Sequence, residues 1–175
     1  MRLLVLDTET TGLSFSHSKI IEVAAALHCT TSHTILASLQ FLVPHAGVNE
    51  AEHINGITHL MLTQEPVPGS YDMLRALWSS SDCVVAHNAR FDRHFLTRHF
   101  PSLPEKPWVC TVSDISFPKT RKSRVLSHIA ADHDIPVFKK HRALDDVLLL
   151  SQLLALVPDL DNQIKARVPL VTKVE

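Results

Sequence analysis

The chain has 175 residues, with 17 Lys+Arg against 18 Asp+Glu, 45% apolar and 20% charged positions, the profile of one globular domain rather than a disordered or fibrous chain. Glycine is scarce: the four present are about 2% against a usual share of roughly 7%, and none writes G-x-G-x-x-G or a phosphate loop ending in Gly-Lys-Ser/Thr, which excludes a glycine-built dinucleotide or Walker-type site. A formal charge of −1 supplies no general basic field for nucleic acid.

In chain order, residues 3–6 form a continuous apolar run, the pattern of a central strand covered on both faces. A second strand is expected over 19–29 and a third over 34–43, where Ile35, Ala37, Leu39, Phe41 and Val43 alternate with smaller or polar neighbours until Pro44. Thr30, Thr31, Ser32 and His33 make the turn between them, so the chain opens as an antiparallel three-strand meander. Helices and short strands then alternate. Asn49 caps a short helix that ends at Gly56, and Ser70 caps a helix through Trp78. Cys83–Ala86 is a strand, 88–100 a helix stopped by Pro101, 108–111 a strand, and 123–134 and 142–157 are helices. The order predicts an α/β fold: a five-stranded mixed sheet, its first three strands antiparallel, with helices on its faces. Residues 1–160 form one domain and 161–175 a weakly patterned tail.

Cys29, Cys83 and Cys110 are spaced as buried free thiols of a reducing compartment, and no C-x-x-C pair suggests zinc. The apolar start is too short for a signal peptide, and no run reaches the length of a membrane span. An intracellular location without membrane contact is expected.

The chemistry is carried by acids in unusual places. Asp7 and Glu9, two apart after the most apolar strand, project to the same side. Two like charges at that spacing are tolerable with a cation between them; alternatively, Asp7 ends the strand and Glu9 is solvated. Asp92 shares a helix face with Phe95, Leu96 and Phe100, and Asp146 shares one with Leu149, Leu150 and Leu153. Either could pair with Arg or Lys, but four such acids without four dedicated cations are more simply explained by a metal site. Asp145 competes with Asp146, although Gln152 at i+7 places it nearer the polar face. His141 can reach such a site if it lies in the loop ahead of the helix, where it would serve as a proton acceptor.

The segments Leu6-Asp7-Thr8-Glu9-Thr10-Thr11-Gly12-Leu13, Ala86-His87-Asn88-Ala89-Arg90-Phe91-Asp92 and His141-Arg142-Ala143-Leu144-Asp145-Asp146 resemble the three motifs of the DEDDh exonuclease family. That family includes the proofreading subunit of bacterial replicative polymerases, exonuclease X and ribonuclease T. Ile54-Asn55-Gly56-Ile57-Thr58 resembles a further family segment that often has His in place of Asn55. The resemblance implies a ribonuclease H-like fold in which Asp7, Glu9, Asp92 and Asp146 hold two divalent cations, Mg²⁺ or Mn²⁺. Placed roughly 4 Å apart, such ions clamp an in-line phosphoryl displacement, with His141 as general base. The implied reaction releases nucleoside 5′-monophosphates from 3′ ends of single-stranded nucleic acid, DNA favoured over RNA. The alternatives are an exoribonuclease and a catalytically silent module that binds ends or a polymerase.

Substrate contacts follow from the same resemblance. Backbone N–H groups around Thr8 and Thr10 would bind the terminal 3′-hydroxyl, Leu13 would wedge against the last base, and Phe91 would pack on its sugar or ring; both apolar residues also have a plain core reading. Asn88 is a helix cap by preference and a substrate contact otherwise, and Asn55 is a further candidate. Basic residues at Lys119, Arg121, Lys122 and Arg124, and at Lys139, Lys140 and Arg142, flank the third motif as a possible phosphate track. No polymerase-binding segment is legible after Val157, which favours a free-standing enzyme. Setting the four acids aside as ligands leaves 17 cations against 14 anions, so the near-zero charge does not argue against a nucleic-acid substrate once the cations are bound.

Overall fold

The computed structural model describes residues 1–119, 123–137 and 142–168. Strands β1 (Arg2–Thr10), β2 (Ile20–Cys29) and β3 (Thr34–Leu42) form the expected meander. They are followed by α1 (Glu52–Asn55), α2 (His59–Leu62), α3 (Ser70–Ser80), β4 (Cys83–Ala86), α4 (Ala89–His99) and β5 (Trp108–Cys110). Helices α5 (Leu126–Asp132), α6 (Ala143–Ala155) and α7 (Leu160–Lys165) complete the described chain. The sheet order is β3-β2-β1-β4-β5, antiparallel across β3-β2-β1 and parallel across β1-β4-β5. This is the ribonuclease H-like arrangement expected.

Strand alternation divides the core in two. Leu3 and Val5 on β1, with Ala24 and Ala26 on β2, meet Ala143, Val147, Leu150 and Leu154 of α6. Leu4 and Leu6 point the other way, against Leu74 and Trp78 of α3 and Phe95 and Leu96 of α4. Small alanines under α6 let the helix lie close to the sheet, and the large rings gather on the opposite face. Each layer hides a full apolar stripe, which is what holds a helix to a sheet.

Several local expectations are corrected. Strand β1 extends to Thr10 rather than ending at residue 6, because β2 pairs with it from Arg2↔Cys29 to Thr10↔Ile20. Ala51, not Asn49, is the N-cap of α1; buried Asn49 instead accepts from the Ala51 N–H and donates to Asn55 and the Ile57 carbonyl. Ser70 is the first helical residue of α3, following Gly69 at φ 83°, where glycine avoids left-handed strain. The helix expected over 123–134 is shortened to α5. Beyond Pro158, Leu160 and Ile164 of α7 are buried in the α6-side core. Of the three free thiols only Cys83 is buried; Cys29 and Cys110 are half-buried because they end strands at the sheet rim.

Candidate active site

The site lies at the carboxyl end of β1, where the parallel pairing to β4 stops and a crevice opens. Residues 3, 5, 7 and 9 share the α6 face, so the pleat that buries Leu3 and Val5 also aims Asp7 and Glu9 at that helix. Asp146 sits in the first turn of α6. One oxygen from each of Asp7, Glu9 and Asp146 lies within 4.8 Å of the others. Asp92 arrives from α4, on the opposite face, and is tied to β1 at Thr8, which projects that way. Its Oδ1 accepts from the Thr8 backbone N–H (3.0 Å) and from Thr8 Oγ1 (2.9 Å).

Asp7, Glu9 and Asp92 hold their protons well above the ordinary carboxyl range. Asp7 is pushed well up, by burial first and then by Asp92, Glu9, Asp146 and Glu22. Glu9 rises from 4.5 to about 8 through burial, Glu22 and Asp146, against a lowering hydrogen bond from Asn55. Burial lifts Asp92 to about 7 although the Thr8 bonds favour its anion. Asp7, Glu9 and Asp146 form a convergent all-oxygen donor set in which burial and neighbouring carboxylates disfavour the charged forms of Asp7 and Glu9. Those are the properties of a site for a hard divalent cation, which would displace these protons on binding.

A cleft of about 300 Å³ opens over the acids. Asp7, Thr8, Glu9, Asp92 and Asp146 line its floor, and Leu13, Ile54, His87, Asn88 and Phe91 its rim. Leu13 is 85% exposed, so its core reading fails; an apolar tip held in solvent beside the acids is free to meet a ligand. Phe91 is half-buried, and its ring packs on Phe95 (centroids 4.8 Å) and Phe15 (5.9 Å). Asn88 occupies the N-cap position of α4 at φ 69° but makes no side-chain cap bond. The capping preference is thus corrected, since this left-handed backbone leaves the side chain exposed on the rim.

Three expected contacts are engaged in hydrogen bonds of the fold itself. Thr8 lines the cleft, but its N–H is engaged by Asp92 rather than open to a 3′-hydroxyl. Thr10 is buried outside the lining, its hydroxyl donating to the Gly12 carbonyl at 2.6 Å. Asn55 is wholly buried; its Oδ1 accepts from Asn49 and from the Ile57 N–H, and its Nδ2 donates to the Thr10 carbonyl. It braces the end of β1 beside Glu9 and does not line the cleft.

The family model described as exonuclease, of the ribonuclease T type, matches residues 4–154. The chain belongs to this exonuclease family. PolC-type DNA polymerase III of Oceanobacillus iheyensis is 32% identical over 160 residues, covering 86% of this chain and 11% of the polymerase. The Bacillus subtilis PolC-type enzyme is 32% identical over 161 residues, with the same coverage. This exonuclease domain therefore spans about a tenth of those relatives. Among solved structures, exonuclease X in complex with 5′ overhanging duplex DNA is 27% identical, with TM-score 0.64 and 91% of each chain covered. Escherichia coli exonuclease I with a dT13 oligonucleotide shares the fold at 17% identity and TM-score 0.72, covering 94% of this chain and 42% of that one.

Two further residues lining the exonuclease cleft, Ile54 and His87, stand inside the motif segments without an assigned role. His87 is buried enough that its pKa is lowered; the neutral ring donates from Nε2 to the Arg124 carbonyl (2.8 Å) and accepts at Nδ1 from Thr111 (2.9 Å). Glu22 carries a signal that the acid test applied to Asp92 would have detected, a lone carboxylate in an apolar strand. His141, Arg121, Lys122, Lys139 and Lys140 lie outside the described residues. Arg124 turns its guanidinium to the Val112 carbonyl, and Arg142 is engaged by Glu22. No helix among the described residues is long and apolar enough to cross a membrane.

Proposed function

We propose that the protein is a divalent-cation-dependent 3′ to 5′ exonuclease that releases nucleoside 5′-monophosphates from single-stranded DNA ends. The convergence of Asp7, Glu9 and Asp146 oxygens within 4.8 Å carries this reading. With Asp92 at the same floor, these residues would hold Mg²⁺ or Mn²⁺. Bound there, the cations would supply positive charge that makes a water acidic and neutralises the leaving 3′ oxygen.

The chain's own groups then have distinct tasks. Thr8 holds Asp92 at the floor by two hydrogen bonds. Leu13, Ile54 and Phe91 offer an apolar rim on which a terminal base can lie without its identity being read. Asn88 presents an uncommitted amide to the terminal sugar or phosphate. His141, next in sequence to Arg142, accepts the proton of the attacking water; an imidazole with a pKa near neutrality suits that transfer. Preference for DNA is supported by the structural relatives, exonuclease X and exonuclease I, which are bound to DNA. The polymerase relatives make a replicative polymerase the class of protein partner to test.

The test uses 3′-labelled and 5′-labelled single-stranded DNA and RNA, with Mg²⁺ or Mn²⁺, comparing wild type with Asp7→Ala and His141→Ala. Stepwise mononucleotide release from DNA by wild type alone is expected. Faster release from RNA would reassign the substrate, and no release from either polymer with either metal would remove the enzyme assignment.

A further inference from the structure

Glu22 is the sole acid of β2, in the run IIEVAAALHC. It is 0% exposed and lies directly across from Glu9 in the β1–β2 register, on the face that α6 covers. A carboxylate in that position needs donors on all sides. Gln40 Nε2 on β3 donates to Oε1 at 2.7 Å. Arg142 grips both oxygens, from Nε at 3.1 and 3.2 Å and from Nη2 to Oε1 at 2.5 Å. The Ala143 N–H, the first of α6, donates to Oε2 at 3.0 Å.

These bonds fix where α6 starts. The Arg142 carbonyl in turn accepts from the Asp146 N–H at 3.2 Å, so the residue clamped by Glu22 closes the helical turn that carries Asp146. Both Glu22 oxygens are committed to donors, and the convergent ligand group is Asp7, Glu9 and Asp146 without it. Stability alone does not call for such a pair, because a buried ion pair is commonly replaceable by well-packed apolar side chains. A planar guanidinium fork on a carboxylate does something that apolar packing does not: it fixes angle and distance at once.

We propose that Glu22 and Arg142 are a positioning pair that sets the distance of Asp146 from Asp7 and Glu9, and through it the cation affinity of the site. This rests on reading that site as a divalent-cation centre. Glu22 touches neither substrate nor cation; it acts through the start of α6.

Mn²⁺ binding to the purified protein, followed by calorimetry together with the melting temperature, tests the pair in three variants. Glu22→Gln breaks it. Arg142→Lys keeps both charges but loses the fork, which separates geometry from the mere loss of a nearby negative charge, and it supplies the measurement if Glu22→Gln does not fold. Glu22→Leu/Arg142→Met replaces the pair with apolar packing. Both single variants are expected to weaken Mn²⁺ binding by about 10–100-fold, the usual effect of a residue behind the ligands. The double variant should regain most of the melting temperature while its Mn²⁺ affinity stays low. Wild-type affinity in folded Arg142→Lys, or affinity recovering in step with stability in the double variant, would overturn the positioning role. Failure of wild type itself to bind Mn²⁺ would overturn the underlying reading of the site, and the proposal with it.

Discussion

Replacing Glu9 with Gln is expected to stabilise the metal-free protein in mild alkali and to leave it nearly unchanged in acid. Glu9 holds its proton up to about 8 in the fold, against 4.5 ordinarily, chiefly because it is buried and faces Glu22 and Asp146. The folded state thus binds that proton more tightly than the unfolded chain. This contribution is complete below the ordinary value and is lost as pH rises through about 8. At about 1.36 kcal/mol per pKa unit the full rise corresponds to ~5 kcal/mol. Asp7 and Asp92 hold protons in the same field and share the relief, so one amide should recover ~2 kcal/mol. For a chain of this length that is a gain of about 4–8 °C in melting temperature. Thermal melts in excess chelator at about pH 5 and about pH 8.5, wild type beside Glu9→Gln, measure it. An equal shift at both pH values, or none at the higher one, would refute the electrostatic account of the site.

Three further outcomes follow from particular side chains. His28 is 1% exposed, its ring nitrogens have no hydrogen-bond partner among the described residues, and burial lowers its pKa; stability tied to its neutral form is lost as pH falls through its ordinary 6.5, so His28→Leu should gain ~1–2 kcal/mol at about pH 5 in denaturant titrations. Leu13→Ala should leave the melting temperature within about 1 °C, because Leu13 is 85% exposed, yet raise KM on single-stranded DNA several-fold; an unchanged KM would remove Leu13 from the substrate surface. Asp146→Asn should lower exonuclease kcat by more than ~100-fold while Asp145→Asn stays within about threefold, in single-turnover assays with Mn²⁺; equal losses would mean that the helix presents both acids to the site.

The site was legible in sequence wherever a charge broke an apolar pattern. Asp92 and Asp146 were anomalous on apolar helix faces, and Asp7 and Glu9 stood two apart after a buried run; the fold brings all four to one cleft floor. Glu22 was an equal anomaly, yet no short motif frames it, and its partner lies 120 positions away. Asn55 and Thr10 were candidates through the motif resemblance, which carries no information on the hydrogen bonds that their side chains make inside the fold. Both close gaps in the backbone instead. Asn88 misled in a different way: asparagine before a helix suggests a cap, but a left-handed backbone at φ 69° takes the amide away from the helix end. Helix α7 was missed because Leu160 and Ile164 are too few to form a periodic signal; tertiary contact with the α6-side core, not local pattern, orders them.

The Thr8–Asp92 bonds tie the α4 layer to the strand that carries Asp7 and Glu9 on its other face, and the consequence concerns when the site comes into being. Asp7 and Glu9 look toward one helical layer while Asp92 belongs to the other, so neither half of the molecule contains a finished site. Asp146 is the last of the four in sequence order. During synthesis, a chain halted before that residue presents three of the four acids and still lacks the last wall of the cleft. The four acids meet only where both layers have closed on the sheet, and cation uptake by a nascent chain would register the moment of closure.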